Sequence, residues 1–262
     1  MKVATWNVNS MNVREQHVLE WLQAHEPDVL VLQEIKQVTE KFPSDALQSI
    51  GYHSIASGQK TYNGVAVISK ATASDPVFDF PDLDDPQRRI LASTVNGVRV
   101  IGLYIPNGSE VGSSKYDYKL RWLESLRRYV AAEMKVHENV VVLGDFNIAP
   151  ADEDVHDPEK WGEAILCSPA ERKALTDLLD SGLSDVFRKF EHPDKTFSWW
   201  DYRAAGFRRN AGLRIDLILT SDSLTESCTA CYVDKEPRGW DRPSDHAPVV
   251  AEFDLQDVTY SE

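Results

Sequence analysis

The sequence predicts an α/β protein made of two mixed β-sheets packed face to face, with helices outside. Three observations carry that expectation. Short runs of strand length recur along the chain, and several are apolar at every position, as strands buried on both faces must be. Helical patterns fall between them, the ordering that lays helices on sheets. The runs are also bordered by carboxylate, amide or imidazole side chains, so polar groups would gather at one rim of the sheets.

The elements follow in order. The segment through Thr5-Trp6-Asn7 opens as a strand. Residues Val13 to His25 carry Val18, Leu19, Trp21 and Leu22 at helical spacing. Val29 to Gln33 is a buried strand delivering Glu34. Gly64 to Ile68, Ile90 to Val95 and Val98 to Tyr104 read as strands, and Asn96-Gly97 joins the last two as a two-residue hairpin. A second helix is written by Tyr118, Trp122, Leu126, Tyr129, Val130 and Met134. Val140 to Asp145 is the clearest strand, with Gly144 expected to let the backbone turn as it surfaces. A third helix opens at Ser168, with Pro169 at its first position and Glu171 completing a capping box, and stops at Gly182. Leu213-Arg214-Ile215-Asp216 reads as another strand ending in a carboxylate. Ser244-Asp245-His246 precedes the last strand, Pro248 to Phe253. One domain is expected over 1–256, with 257–262 a loose tail.

At 262 residues and 42% hydrophobic content, the chain can build a large core. Its formal charge of −14 repels nucleic acid at long range. DNA contact would need a local basic surface, although a carboxylate site neutralised by a divalent cation adds less negative field than the count implies. No stretch approaches the ~20 apolar residues of a membrane span. The strand at the start leaves no room for a signal peptide, and three cysteines argue against a disulfide framework. These features predict a soluble cytoplasmic enzyme, monomeric because no coiled coil or apolar stripe is legible.

The polar rim has the ingredients for phosphodiester hydrolysis, which needs charge neutralisation at phosphate, a base for water, and donors for the developing charge. Glu34 is a hard carboxylate suited to Mg²⁺ or Mn²⁺, or else a solvated strand-end glutamate. Asp145 is the candidate base, and Asn147, two residues on, would position water or contact phosphate; an Asx-turn would explain the same pair. His246 could be held by a carboxylate such as Asp216 and contact phosphate, or be an ordinary surface histidine. Cys228-Thr229-Ala230-Cys231 lacks a second ligand pair and lies in strand-like sequence, so it reads as structural. Walker-type, nucleophile-elbow and dinucleotide fingerprints are absent.

Residues 197–209 gather five aromatics and three arginines against one aspartate. Aromatics can stack on bases or fill a lesion, while arginines such as Arg203 and Arg208 hold phosphates. A buried aromatic cluster with solvated arginines is the plainer alternative. Arg88 and Arg89, and the stretch Lys115 to Lys119, offer further phosphate contacts or plain solvated faces.

Taken together, Thr5-Trp6-Asn7-Val8-Asn9, Leu32-Gln33-Glu34, Tyr62-Asn63-Gly64, Gly144-Asp145-Phe146-Asn147, Gly212 to Asp216 and Ser244-Asp245-His246-Ala247-Pro248 resemble the exonuclease III family of abasic-site endonucleases. That family belongs to the endonuclease/exonuclease/phosphatase superfamily, and the resemblance runs from Met1 to about Phe253. It implies a DNase I-like, four-layered α/β-sandwich acting on duplex DNA with abasic sites or blocked 3′ ends, in association with the nucleoid. It further implies that Glu34 binds Mg²⁺ with Asn7 close by, and that Asp245 lies near this or a second metal. Asp145 would activate water, Asn147 would help hold it, Asp216 would support His246, and Tyr104 would donate to the phosphate or leaving group. Trp199 and Phe207 would flank an extrahelical abasic sugar. Trp200 stands where phenylalanine is common in the family, and Asn9 where some eukaryotic relatives carry aspartate. The small residues of Ile148 to Asp152 would leave room for an opposing strand.

Two rivals are set beside this reading. A phosphatase of the same superfamily would keep the metal and base residues but need no aromatic-arginine segment. A non-catalytic damage-binding module would show a broken set, and none of the expected groups is missing.

Overall fold

The computed structural model describes residues 1–255; the expected boundary at 256 and the tail 257–262 lie outside them. Two six-stranded sheets form the centre. The first runs in the order Cys228–Val233, Val249–Phe253, Lys2–Asn7, Val29–Gln33, Val65–Ser69, His53–Ser57. The second runs Ser74–Val77, Ile90–Val95, Val98–Tyr104, Val140–Asp145, Asp216–Ser221, Leu183–Asp185. Both mix parallel and antiparallel pairing.

The continuous apolar runs are explained by burial on both faces. Val29 and Val31 join Val141 and Leu143 in the core between the sheets. Their neighbours Leu30 and Leu32 face the opposite way, against Val18, Trp21 and Leu22 of the helix Met11–His25. Val140 and Val142 likewise lie under Trp122, Leu126, Leu175 and Leu178 of the helices Ser114–Glu133 and Pro169–Leu179. The result is the expected sequence of layers: helix, sheet, sheet, helix. Each such aliphatic side chain, fully removed from water, contributes about 1.5–3 kcal/mol before entropy is counted.

Local signals are realised where they were read. Asn96 and Gly97 both adopt positive φ, 49° and 76°, and Val95 pairs with Val98, the geometry of a two-residue hairpin. Ser168 and Glu171 form the capping box, with Pro169 in the first turn. Two expectations need correcting. Gly144 does not turn the chain; it stays in its strand at φ 156°, and a Cβ there would stand 1.9 Å from the Leu103 carbonyl oxygen. Close strand approach is what demands glycine. Asp216 does not end a strand either. Gly212–Leu213 pairs with Trp199–Trp200 in a separate ribbon, and Asp216 begins the strand that runs to Ser221.

The architecture brings distant chain ends to one rim. Asn7 and Gln33 pair at the end of one parallel couple, Tyr104 and Asp145 at the end of the other. Asp216 pairs with Asp145 from the antiparallel side. Carboxyl ends of parallel strands are the usual place for a site in open α/β sheets.

Candidate active site at the sheet rim

Asp145 is the centre of the arrangement. It is 1% exposed and accepts from Asn7 Nδ2 at 2.9 Å, from the Asn147 backbone N–H at 2.9 Å and from Asn147 Nδ2 at 3.3 Å. Asn147 has φ 50°, so the Asx-turn and the functional reading describe one geometry. Its Nδ2 also donates to the Ile105 carbonyl at 3.0 Å. Asn7 bridges the sheets, because the same Nδ2 donates to Glu34 Oε1 at 2.9 Å while its Oδ1 accepts from the Asn9 N–H. Lys36 Nζ stands 2.9 Å from the second Glu34 oxygen.

His246 is buried, with Nδ1 2.9 Å from Asp216 Oδ2 and Nε2 3.7 Å from Asp145 Oδ2. Ser198 Oγ donates to Asp216 at 2.7 Å and accepts the N–H groups of Ile215 and Asp216, locking the carboxylate that orients the imidazole. Burial opposes a charge on His246, but Asp216 and Asp145 outweigh it and push its pKa to about 10. Burial raises the Asp145 carboxyl to about 7, with Asp216 and Glu34 adding to the effect and His246 and Asn7 opposing it. Tyr104 is held well above the usual phenol range by burial beside Glu34 and Asp145, so it remains a neutral O–H donor. Its ring is covered by the Arg89 guanidinium at 4.7 Å.

Asp245 is set apart from this cluster. It accepts from Asn9 Nδ2 and from the Trp199 indole N–H, both at 3.0 Å. Burial raises its pKa, but His246, the Trp199 indole and Asn9 more than reverse this, so the carboxylate is held below its usual range.

Among the described residues, Glu34, Asp145 and His246 place ligand atoms within 4.8 Å of one another. His246 spends its Nδ1 on Asp216 and, held protonated by Asp216 and Asp145, has no lone pair at Nε2, so the two carboxylates are the donors open to a cation. That donor set suits a hard, oxygen-preferring ion. Of the three residues expected near a metal, Glu34 lies in this group, Asn7 donates to both Glu34 and Asp145, and Asp245 accepts from Asn9 and Trp199.

The aromatic-arginine segment is stitched to the site by backbone. Trp200 N donates to Asp245 O and Ala247 N to Ser198 O, setting Trp199 beside His246. Trp200 is fully buried, donates its indole N–H to Asn210 and meets Phe207 edge-on at 5.0 Å, so it belongs to the packing that supports Phe207. Arg203 and Arg208 are exposed. Arg88 is paired with Asp79, and Arg89 is folded onto Gln87 and Tyr104.

A cleft of about 490 Å³ adjoins Tyr104, lined in part by Tyr62, Asn63, Arg89, Asn107 and Lys115. Asn107 was not singled out from sequence, yet its Nδ2 donates to Asn147 Oδ1 at 3.2 Å. Ser198 was missed for the same reason: a polar residue in an irregular stretch has no periodicity to announce it. Lys119, read as part of a stretch offering phosphate contacts or a solvated face, provides neither: it is fully buried. Cys228 and Cys231 are buried in the inter-sheet core, where a bulge between Cys228 and Ala230 turns both inward, and desolvation raises both thiols.

The sequence profile of the Endonuclease/Exonuclease/phosphatase family matches residues 4–246. The exodeoxyribonuclease III of Haemophilus influenzae is 36% identical over 97% of this chain and all of its own length. Among solved structures, a 3′ phosphatase from Neisseria bound to a product DNA hairpin superposes with TM-score 0.96 at 51% identity, covering 97% of this chain and 100% of the other. An AP endonuclease from Archaeoglobus fulgidus superposes with TM-score 0.92 at 38% identity over the same shares.

Proposed function

Because the chain belongs to the endonuclease/exonuclease/phosphatase family, we propose that its rim site cleaves the phosphodiester 5′ to an abasic sugar in duplex DNA. The chain is a DNA-repair nuclease of the exodeoxyribonuclease III kind, and its dependence on a metal is general to the family. The abasic substrate, the identity of the ion as Mg²⁺ and the monomeric state are parts of the proposal. The observation that carries it is the joint placement of Glu34, Asp145 and the Asp216–His246 pair beside Trp199.

Glu34 and Asp145 would hold Mg²⁺, which supplies charge neutralisation at the phosphate when bound. Asp145, oriented by Asn7 and Asn147, accepts a proton from the attacking water. Asn147 holds the water or a phosphate oxygen. His246, kept cationic by Asp216, donates from Nε2 to the phosphate, and Tyr104 donates to the phosphate or the departing oxygen. Trp199 and Phe207 border the extruded sugar, which costs less to flip than a normal nucleotide because it has already lost stacking and pairing. Arg203 and Arg208 contact backbone phosphates in a chain otherwise too acidic to attract DNA.

A second reading has its own support. The 51% identical relative is described as a 3′ phosphatase, and a blocked 3′ end would fit the same groups. An end-labelled duplex with one abasic analogue, tested with Mg²⁺ and with chelator, separates the readings. One Mg²⁺-dependent nick on the 5′ side supports the abasic endonuclease. Loss of a 3′-blocking phosphate without a nick makes this a 3′-end processing enzyme. Silence on both, with turnover of a small phosphomonoester, favours a phosphatase of the family. Trp199→Ala with Phe207→Ala should then leave turnover of the phosphomonoester unchanged, whereas the abasic-endonuclease reading expects a selective loss on abasic DNA.

Among the described residues no helix is long and apolar enough to cross a membrane.

A further inference from the structure

Lys119 lies in the helix Ser114–Glu133 with its side chain wholly enclosed, at 0% exposure. Its Nζ donates to the Asn147 carbonyl at 2.6 Å, to the Asn107 carbonyl at 3.2 Å, and to Glu171 in an ion pair. All three ammonium donors are used. Glu171 is equally buried. Its Oε1 also accepts from Leu166 N, and its Oε2 from Ser168 N and Ser168 Oγ. One carboxylate thus caps the helix Pro169–Leu179 and holds the lysine.

Stability alone does not account for this pair. Two desolvated charges cost so much that well-packed apolar residues of the same volume often do as well or better. What the lysine touches is more informative. Asn147 sits in the left-handed region, which a single asparagine tolerates readily, so its hydrogen-bond partners decide how firmly it stays there. Asn107 Nδ2 donates to Asn147 Oδ1, and Asn147 Nδ2 points at Asp145. The two amides form a chain ending at the proposed base, and both of their backbone carbonyls end on one ammonium.

We propose that Lys119 is a positioning residue: by clamping the carbonyls of Asn147 and Asn107 together, it fixes the two side-chain amides that meet the phosphate and water. The inference rests on the nuclease reading above. Without the clamp, the two carbonyls lose a buried donor, and Asn147 is free to leave its left-handed conformation. Its amide then swings off Asp145 while Glu34, His246 and the DNA-facing loop stay in place. The defect would fall on turnover and not on binding.

Lys119→Met alone strands the Glu171 charge, so the informative protein is the double variant Lys119→Met with Glu171→Gln. It removes both charges and keeps an acceptor for Ser168. Thermal midpoint, kcat and KM are measured on an abasic duplex beside the wild type. The proposal expects the double variant to regain the midpoint lost by the single one. Its kcat should stay down roughly tenfold to a hundredfold, the scale of a small misplacement of catalytic groups, with KM within about twofold of wild type. Recovery of kcat along with the midpoint would overturn it, as would a loss of kcat matched by an equal rise in KM. A double variant that cannot fold assigns the pair to folding and overturns it too. Cleavage by wild type and double variant alike defeats only this inference; a wild type silent on abasic DNA defeats the abasic-site reading, and the same comparison of kcat and KM is then made on a duplex with a 3′-phosphate, where equal kcat in the two proteins overturns the inference.

Discussion

Asn7 and Asp145 lie 138 positions apart, on different sheets, and are joined by a hydrogen bond of 2.9 Å. The bond ties the two halves of the sandwich at the point where the proposed chemistry occurs. It also helps keep Asp145 ionisable, because a donor favours the carboxylate against the pull of burial. Asn7→Ala should therefore raise the Asp145 pKa further. The acidic limb of the kcat–pH profile should move to higher pH, and kcat at neutral pH should fall roughly tenfold, the scale of one hydrogen bond to a charged group. An unchanged acidic limb would remove Asn7 from this role.

Asp145→Asn removes the proposed base while leaving Trp199, Phe207 and the surface arginines in place. Turnover should fall by roughly 10²–10⁴, the range general-base catalysis supplies. Binding of an abasic duplex, followed by fluorescence anisotropy, should change little. Retained turnover would take the base assignment away from Asp145.

Metal uptake should depend on pH in a stated direction. Asp145 has its carboxyl raised to about 7, so the proton competes with a cation below that value and ceases to compete above it. Mg²⁺ affinity, measured by calorimetry on protein freed of metal, should be weaker at pH 6 than at pH 8, with proton release on binding at the lower pH. Equal affinities, without proton release, would count against Asp145 as a ligand.

His246 carries the opposite limb. Asp216 and Asp145 hold its proton up to about pH 10 against the effect of burial. Asp216→Asn removes the largest of these supports, so the imidazole should titrate at lower pH and activity should decline earlier on the alkaline side. NMR titration of the His246 Cε1 proton reads this directly. A titration unmoved by the substitution would show that Asp216 does not set the charge.

Arg214 gives a prediction about stability. It is 1% exposed, donates to Asp154 and Asp185 at 2.7 Å each, and lies over the Phe187 ring at 4.5 Å. Arg214→Met would leave two carboxylates short of their counter-charge, a loss on the order of 3–5 kcal/mol. Denaturant unfolding should show it. Mg²⁺ affinity should not change, since none of these residues touches Glu34 or Asp145.

The elements legible in the sequence are those whose signals are short-range. The Asn96-Gly97 turn, the Ser168–Glu171 capping box and the doubly apolar strands each depend on a few adjacent residues, and each formed as read. Candidate site residues were legible where polar groups interrupt such runs, as at Glu34, Asp145 and His246. Lys119 misled because a lysine among charged neighbours has the same local pattern whether it faces water or the interior. Gly144 and Asp216 misled because the end of a strand is decided by its partners: Leu103 presses on the first, and Asp145 pairs with the second.

By itself, then, the sequence determined the alternation of strands and helices, the faces they bury, and an inventory of groups fit for phosphodiester chemistry. Only the tertiary structure decided which of those groups meet. Asp216 finds His246 across 30 positions, and Asn7 finds both Glu34 and Asp145. The reason is physical: turns and caps are satisfied within a few residues. A buried charge has to be satisfied by whatever the packing of two sheets brings within about 3 Å, the reach of a hydrogen bond.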